Sequence, residues 1–462
     1  MTAEAALAEL WAGAGLPAEA LAAISFSGAD PVLPSNFAVG TAAAASIGAA
    51  ALAARELFRL RGGPPATLAI ALRNAALECR SERYLRLDGE APPPLWDAIA
   101  GLYPTADGWV RLHTNFPHHR DGILKLLGTA HERAAVARAL TNWRAEELDR
   151  AATEAGLAVA WLRSFAEWDR SSEAAALAAE PLVAIERLGE APPEPLRPAR
   201  APLSGVRVLD LTRVIAGPVA GRTLARYGAD VLLINAPHLP QMAPLVIDTG
   251  RGKLSAFLDL RDRSGADGLA RLIGKADIFL QSYRPCALGR RGFADADVAR
   301  IRPGIVCASL SAYGFHGPWA GRRGFDSLVQ TATGFNHAEA EAAGEATPKP
   351  LPLQALDHAT GQLLAFGIIT ALIRRASVGG SWRVRTSLAR TGLWLRSLGR
   401  IEHGLASKDP TATDIADRLE EVASGFGPLT VVRAAAEFSD IRLPPLRPAM
   451  PLGTHPAEFP EY

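Results

Sequence analysis

Apolar residues follow two different periods along this chain. Beyond residue 205, short apolar runs alternate with stretches in which apolar positions recur every three or four residues. The runs at 206–211, 229–234, 254–260, 276–281, 305–310 and 381–387 read as strands. The stretches at 216–226, 262–275, 294–301, 325–333 and 392–405 read as helices. Strand and helix in alternation predict an α/β fold with a doubly wound, parallel, Rossmann-like sheet, whose ligand crevice lies at the strand ends. The longest apolar stretch follows Asp357. There Ala359, Leu363, Ala365, Phe366, Ile369, Ala371 and Leu372 form the buried body of a helix.

The first two hundred residues are patterned differently. Ala6, Leu7, Leu10, Trp11, Leu21 and Ile24 stand at helical spacing and predict a helical lead over 1–30. Residues 37–54 carry no charge and approach the length of a membrane span. They are mostly Ala with Gly, Ser and Thr, which insert weakly, so a helix packed among others is expected and no membrane. Set against the stretch after Asp357, Gly48 falls on Gly367 and Arg55 on Arg374, and a gap of two brings Gly62-Gly63 onto Gly379-Gly380. This is an internal repeat of one helix region. On the same alignment Asp357 matches Ala38, so the first copy lacks the carboxylate. A strand at 67–70 follows, leading into a helix or an extended arm. Past the Pro-rich 91–95, strands at 109–112 and 157–161 and helices ending at Gly128 and at 132–149 and 167–179 predict a small α/β unit. Residues 191–205, APPEPLRPARAPLSG, read as a linker. The expected organisation is therefore a lead with a partial repeat (1–90), a small α/β domain (91–190), the linker (191–205), a large domain carrying Asp357 (206–405) and a return segment (406–462).

Composition narrows the function classes. At 462 residues, 48% hydrophobic and 21% charged, the chain can bury a sizeable core, and a net charge of +1 argues against broad nucleic-acid binding. Cys79, Cys286 and Cys307 are too few and too scattered for a disulfide scaffold or a zinc site. His118-His119 has no third ligand at fitting spacing and reads as a solvated pair at a helix start; no metal is expected. The opening MTAEAALAELWAGAG has no basic region before an apolar one, so a cytoplasmic setting is expected.

Candidate chemistry gathers at the predicted strand ends. Ala216, Gly217 and Pro218 open a helix after the first strand, where free N–H groups suit phosphate; a structural turn is the alternative. Arg251 and Lys253 flank a glycine before a strand, as a phosphate grip or a solvated cluster. Arg284, before Pro285, is held extended at the end of another strand. Gly314 and Gly317 suit a loop whose backbone approaches a ligand. Asp326 is a cap or a supporting acid. Asp357 sits at the positive end of its helix, as an N-cap or as a reactive carboxylate held ionised. Gly361, one turn on, leaves room for a ligand or another backbone.

These pieces together resemble the family III CoA-transferases, the group of formyl-CoA transferase and carnitine CoA-transferase. The likeness is carried by PLSGVRVLDLTRVIAGPVAGRTLARYGADVLLI, DTGRGKLSAFLDLRD, ADIFLQSYRPCALGRRGF, RPGIVCASLSAYGFHGPWAGRRGFDSLVQTATG and LDHATGQLLAFGIITALIRR, in that order. Resemblance implies that Asp357 is the catalytic aspartate and that coenzyme A is bound as substrate, with no permanently bound cofactor. It assigns Arg251 and Lys253 to the CoA phosphates, Arg284 to the ENFRPG-type piece, and Ala216, Gly217 and Gly314 to backbone contacts. It implies acyl-CoA and carboxylic acid as substrates and a homodimer, with interlocked and separable chains both left open. The small domain of that family follows the Asp357-type helix, but here DGWVRLHTNFPHHRDGILKLLG precedes the large domain, and RPAMPLGTHPAEF resembles the family's ending. The chain thus resembles a permuted, partly duplicated member.

The implied reaction moves CoA between an acyl-CoA thioester and an acid through an aspartyl anhydride and an aspartyl-CoA thioester. Departures exist: Ile234-Asn235-Ala236 replaces a KIE-like piece, and QSYRPC replaces ENFRPG. The alternatives are an acyl-CoA racemase or lyase of the same fold and a catalytically silent CoA-binding paralogue. The racemase branch places a histidine in a GHD piece, where this chain has Gly324-Phe325-Asp326, and phenylalanine carries no proton.

Overall fold

A computed structural model describes residues 1–461. Its centre is a seven-stranded sheet: β1 (Ala184–Gly189), β2 (Arg207–Leu211), β3 (Asp230–Asn235), β4 (Lys253–Phe257), β5 (Ile278–Gln281), β6 (Val306–Ser311) and β7 (Ser381–Ser387), in the spatial order β4-β3-β2-β5-β6-β7-β1. From β4 to β7 all pairs are parallel, with Val208 beside Val231 and Leu209 beside Phe279. Every residue of β3 and β6 is buried, as a strand covered on both faces requires. The order of β2 to β7 is that of a Rossmann sheet, and its switch point lies between β2 and β5. β1 was not legible in the sequence. It adds antiparallel to β7 at the edge, and its half-buried AIERLG lacks a clean alternation. At the opposite edge the C-terminal tail runs along β4, with Gly252 N–H donating to Arg447 C=O (2.8 Å) and His455 N–H to Ser255 C=O (2.8 Å).

Two long helices, α1 (Val39–Leu60) and α4 (Ala355–Val378), pack side by side, and α2 (Ala216–Arg226) lies against α4. α1 is buried continuously from Val39 to Ala54. Its alanines suit close packing, and Gly48 makes room for the N-terminal strand, since a Cβ there would stand 2.9 Å from the Phe26 ring. α4 is the helix long and apolar enough to cross a membrane, yet its apolar window is 94% buried inside the protein. After each long helix comes a turn at Gly62-Gly63 or Gly379-Gly380, then a strand (Leu68–Ala71 or β7) and a helix (Leu72–Glu78 or Leu388–Ser397). The two aligned stretches thus share one element order. The lead is not wholly helical: Ile24–Ser27 is a strand parallel to Leu68–Ala71.

The small unit has an antiparallel sheet of Gly101–Pro104, Trp109–Leu112 and Val159–Trp161 and its own core around Tyr103, Val110, Leu140 and Leu148. The helix expected over 132–149 is two, Arg133–Leu140 and Ala145–Glu154. The chain breaks at Trp143, whose carbonyl accepts from Ala106 N–H, and the second helix is restarted by the Asp107 carboxylate on Ala145 N–H (2.8 Å). The stretch expected at 167–179 is likewise two helices, Phe165–Asp169 and Ser172–Ala178, each capped by its own serine. The final predicted helix starts earlier, at Leu388, because Ser387 caps it, and it ends before Gly399, whose φ is +98°.

Candidate active site

A cleft of about 610 Å³ opens at the C-terminal ends of the parallel strands. Leu211 at the end of β2, Arg213 to Gly217 after it and Ser282 to Arg284 after β5 line it, which places it at the switch point. Asn235, Asp259 and Ser311 mark the ends of β3, β4 and β6. The small domain closes one side with Phe116, His118 and His119, so its walls come from both domains of one chain. Between β2 and α2, Val214 holds φ +75°, a conformation a β-branched residue rarely adopts. Backbone strain of that kind at a cleft wall marks a position held by its surroundings.

Asp357 lines the cleft and is 8% exposed. It is the third residue of α4 and does not cap it. That role falls to Asp326, in the first turn of α3 (Asp326–Ala332): its Oδ2 accepts the Asp357 backbone N–H at 2.9 Å. The expectation that the helix terminus holds Asp357 ionised therefore needs correction. Burial, the Asp326 carboxylate and Glu82 push the Asp357 carboxyl well above its ordinary range. Burial also raises Asp326, to about 6, against hydrogen bonds from Asp357 N–H and Gln330 that favour its charged form. Behind the helix start, His358 Nε2 lies 3.1 Å from Glu82 Oε2. Burial raises the Glu82 carboxyl, but the His358 contact outweighs it and leaves Glu82 below its ordinary value.

Guanidinium groups dominate the rest of the lining, from Arg213, Arg261, Arg284, Arg291 and Arg323, beside the imidazoles of His118 and His238. The acids on the lining, among the described residues, are Asp259 and Asp357. Asp259 is already engaged by Arg261, with Nε and Oδ1 3.0 Å apart, and by His238 at 3.3 Å. Arg213 lies over the Phe116 ring, 5.3 Å from its centroid, and donates to Pro240 C=O. Burial and the neighbouring Arg284 lower the Arg323 pKa. A cleft with this surplus of guanidinium groups suits a ligand carrying several phosphates. Arg213, Arg291 and Arg323 went unnoticed in the sequence because a single arginine in a loop looks like any surface cation.

The structure brings Asp357, Ala216, Gly217 and Arg284 to this one cleft. Arg251, Lys253 and Gly314 lie elsewhere. Lys253 is buried with its Nζ on Asp210 Oδ2 (2.8 Å) and Pro218 C=O (2.9 Å), where it braces α2. Arg251 is buried on Asp248, 3.1 Å away, and burial lowers its pKa to about 10. Both cations are buried and already paired. In the loop 314–317, the backbone N–H groups of Phe315 and His316 donate to Glu180 Oε1 (2.8 and 3.0 Å), so they offer no oxyanion donors. Gly361 serves a backbone, as a Cβ there would meet Ala216 C=O at 2.4 Å. The histidine pair is not solvated throughout: His119 is 1% exposed, and burial lowers its pKa to about 3. Phe325 stacks on His113 with centroids 3.8 Å apart.

Residues 203–423 match the model of CoA-transferase family III. An acetyl-coenzyme A transferase, nodX, of Hypoxylon pulicicidum is 36% identical over 213 residues, 45% of this chain and 36% of that protein. An acyl-CoA transferase of Gibberella moniliformis is 28% identical over 416 residues, covering 80% of this chain and 72% of the other. That likeness is too long to fit beyond residue 202 and so extends into the N-terminal half. The crystal structure of Rv3272 from M. tuberculosis is 31% identical, with a TM-score of 0.39 over 43% of this chain and 59% of that one. The chain spans about a third of the first of these relatives.

Proposed function

Through residues 203–423 the chain belongs to CoA-transferase family III, and from that premise we propose that it moves CoA between an acyl-CoA thioester and a carboxylic acid, with Asp357 as the nucleophile. The observation that carries the reading is the Asp357 carboxyl at the wall of an arginine-rich cleft at the sheet's switch point. Arg284, Arg291 and Arg323 receive the CoA phosphates, and the thioester lies toward Asp357.

In the first step a carboxylate oxygen of Asp357 attacks the thioester carbonyl carbon. The C–S bond breaks, CoA leaves as thiolate, and a mixed anhydride forms. The thiolate then attacks Cγ of Asp357, which frees the donor acid and leaves an aspartyl-CoA thioester. The acceptor carboxylate attacks that Cγ and expels thiolate. Thiolate attack on the acceptor carbonyl finally regenerates the aspartate. No net proton is consumed. Ala216 and Gly217 line the cleft as the first residues of α2, whose N–H groups have no partner within the helix, and these groups take the oxyanion role. A raised pKa makes Asp357 the stronger nucleophile once ionised, at the cost of a smaller ionised fraction near neutrality.

Dimerisation rests on the resemblance alone. Phe116, His118 and His119 of the small unit already meet Asp357 across the cleft within one chain, and turnover is proposed not to need a second copy. The test is Asp357→Ala assayed against a panel of acyl-CoA donors and acid acceptors by mass spectrometry. Turnover is expected to fall below detection with the far-UV spectrum unchanged, and hydroxylamine is expected to trap a hydroxamate at Asp357 in the wild type. Full activity in the variant removes the reading. Exchange of an α-proton with deuterated solvent, without CoA transfer, would favour the racemase instead.

A further inference from the structure

Glu82 lies well before residue 203, where the family match begins, in the short helix Ser81–Tyr84. Its carboxylate is buried, 5% exposed, and its Oε2 stands 3.1 Å from Nε2 of the equally buried His358. His358 directly follows Asp357 on α4. One residue along a helix is a rotation of about 100°. With Asp357 at the cleft wall, the imidazole is turned aside and held from behind. The other end of the contact is anchored too. Ser81 Oγ donates to Asp248 Oδ2 at 2.6 Å, and Asp248 is held by Arg222 of α2 at 2.8 Å and by Arg251 at 3.1 Å. The helix Ser81–Tyr84 is thereby tied to α2 through one residue and to the first turn of α4 through the next.

We propose that Glu82 is a positioning residue of the transfer reaction, acting through His358 to fix the first turn of α4 and so the direction of the Asp357 carboxyl. A well-packed apolar pair would fill the same space at similar stability. A charge-assisted hydrogen bond adds direction, and it is made one residue from the nucleophile. The inference rests on the reading of Asp357 as nucleophile. It gives the N-terminal segment a part in the site that the family match does not cover.

Glu82 also opposes ionisation of Asp357, which offers a readout beyond packing. The charged groups facing Asp357 are Asp326 and Glu82. Those facing Glu82 are His358, Arg83 and Asp248, while Arg222 feels Glu78, Glu82 and Asp248 together. Glu82→Gln removes one negative charge near Asp357, so the acid limb of the kcat–pH profile moves to lower pH. In the full-length chain it is expected to lower kcat at pH 8 about ten- to a hundredfold, as misplacement of a reacting group does, with KM for the acyl-CoA within about twofold.

His358→Gln and His358→Leu provide a second arm. The glutamine amide still donates to Glu82 and is expected to keep most of kcat; leucine has no donor and is expected to lose it as Glu82→Gln does. Wild-type kcat and an unmoved acid limb in Glu82→Gln overturn the proposal while leaving the Asp357 reading intact. So does equal kcat in the two His358 variants should Glu82→Gln not fold. A wild-type chain without CoA transfer overturns both.

Discussion

At the scale of single residues, the site concentrates acids at one buried helix start and holds two of them, Asp326 and Asp357, against ionisation. Asp357, Asp326 and Glu82 are all buried around one helix start, and one histidine answers them. The Asp357 carboxyl has a folded pKa above its unfolded value. The stabilisation from its protonated form is therefore fully present below the unfolded pKa, about 3.9, and is lost as pH rises through the raised value. Asp326, raised to about 6, contributes the same trend. Thermal melts of the wild type are accordingly expected to fall between pH 5 and pH 8. Asp357→Asn, which removes the titration without a change of shape, is expected to melt at the wild-type temperature at the acid end and a few degrees higher at pH 8. Equal melting temperatures at pH 8 would mean that Asp357 is not held against ionisation in the resting protein. The gain in stability and the loss of turnover in one substitution would be the trade expected of a reactive group.

At the scale of elements, α4 is fitted to its neighbours more tightly than its sequence discloses. Gly361→Ala improves intrinsic helix propensity by about 1 kcal/mol. The new Cβ, however, would stand 2.4 Å from Ala216 C=O and 2.9 Å from Val219 Cβ, atoms of the packed start of α2 that cannot swing away. Overpacking of this kind costs roughly 1–3 kcal/mol, so the clash outweighs the propensity. Urea denaturation is expected to show net destabilisation, with KM for acyl-CoA raised because Ala216 and Gly217 shift; a variant as stable as wild type would contradict the packing. Most strands of the large domain were legible as short apolar runs bounded by turns, and 381–387 falls on β7 end to end although arginines alternate with its apolar positions. β1 was hidden because an edge strand exposed on one side can carry Glu186 and Arg187. Asp357 could be singled out because it is the last acid before a long apolar helix. Its cap, Asp326, sits 31 residues earlier and is joined to it only by tertiary structure. Arg251 and Lys253 misled for the converse reason: Asp248 and Asp210, which neutralise them, give no sign in a linear motif that they face inward.

At the scale of the whole molecule, the order of the segments is the distinctive property. A small domain that precedes the large one still supplies Phe116, His118 and His119 to the cleft, and the N-terminal segment supplies Glu82 to the back of α4. Resemblance, with its expectation of a small domain after the Asp357-type helix, pointed to the parts but not to how one chain would close them. The linker 191–205 is tied to both the large domain and the N-terminal lead: Gly380 N–H donates to Ala191 C=O at 2.8 Å, and Arg61, just past the end of α1, reaches Pro202 C=O at 2.9 Å. This self-sufficiency has a genetic counterpart. Where a cleft is shared between subunits, two differently crippled chains can restore each other when mixed. Here a preparation of Asp357→Ala chains refolded together with Glu82→Gln chains is expected to show no more than the mean of the two separate activities, and recovery above that mean would reveal a shared cleft. On the expected outcome each translated copy stands or falls alone, and a damaged allele neither rescues nor poisons its sibling.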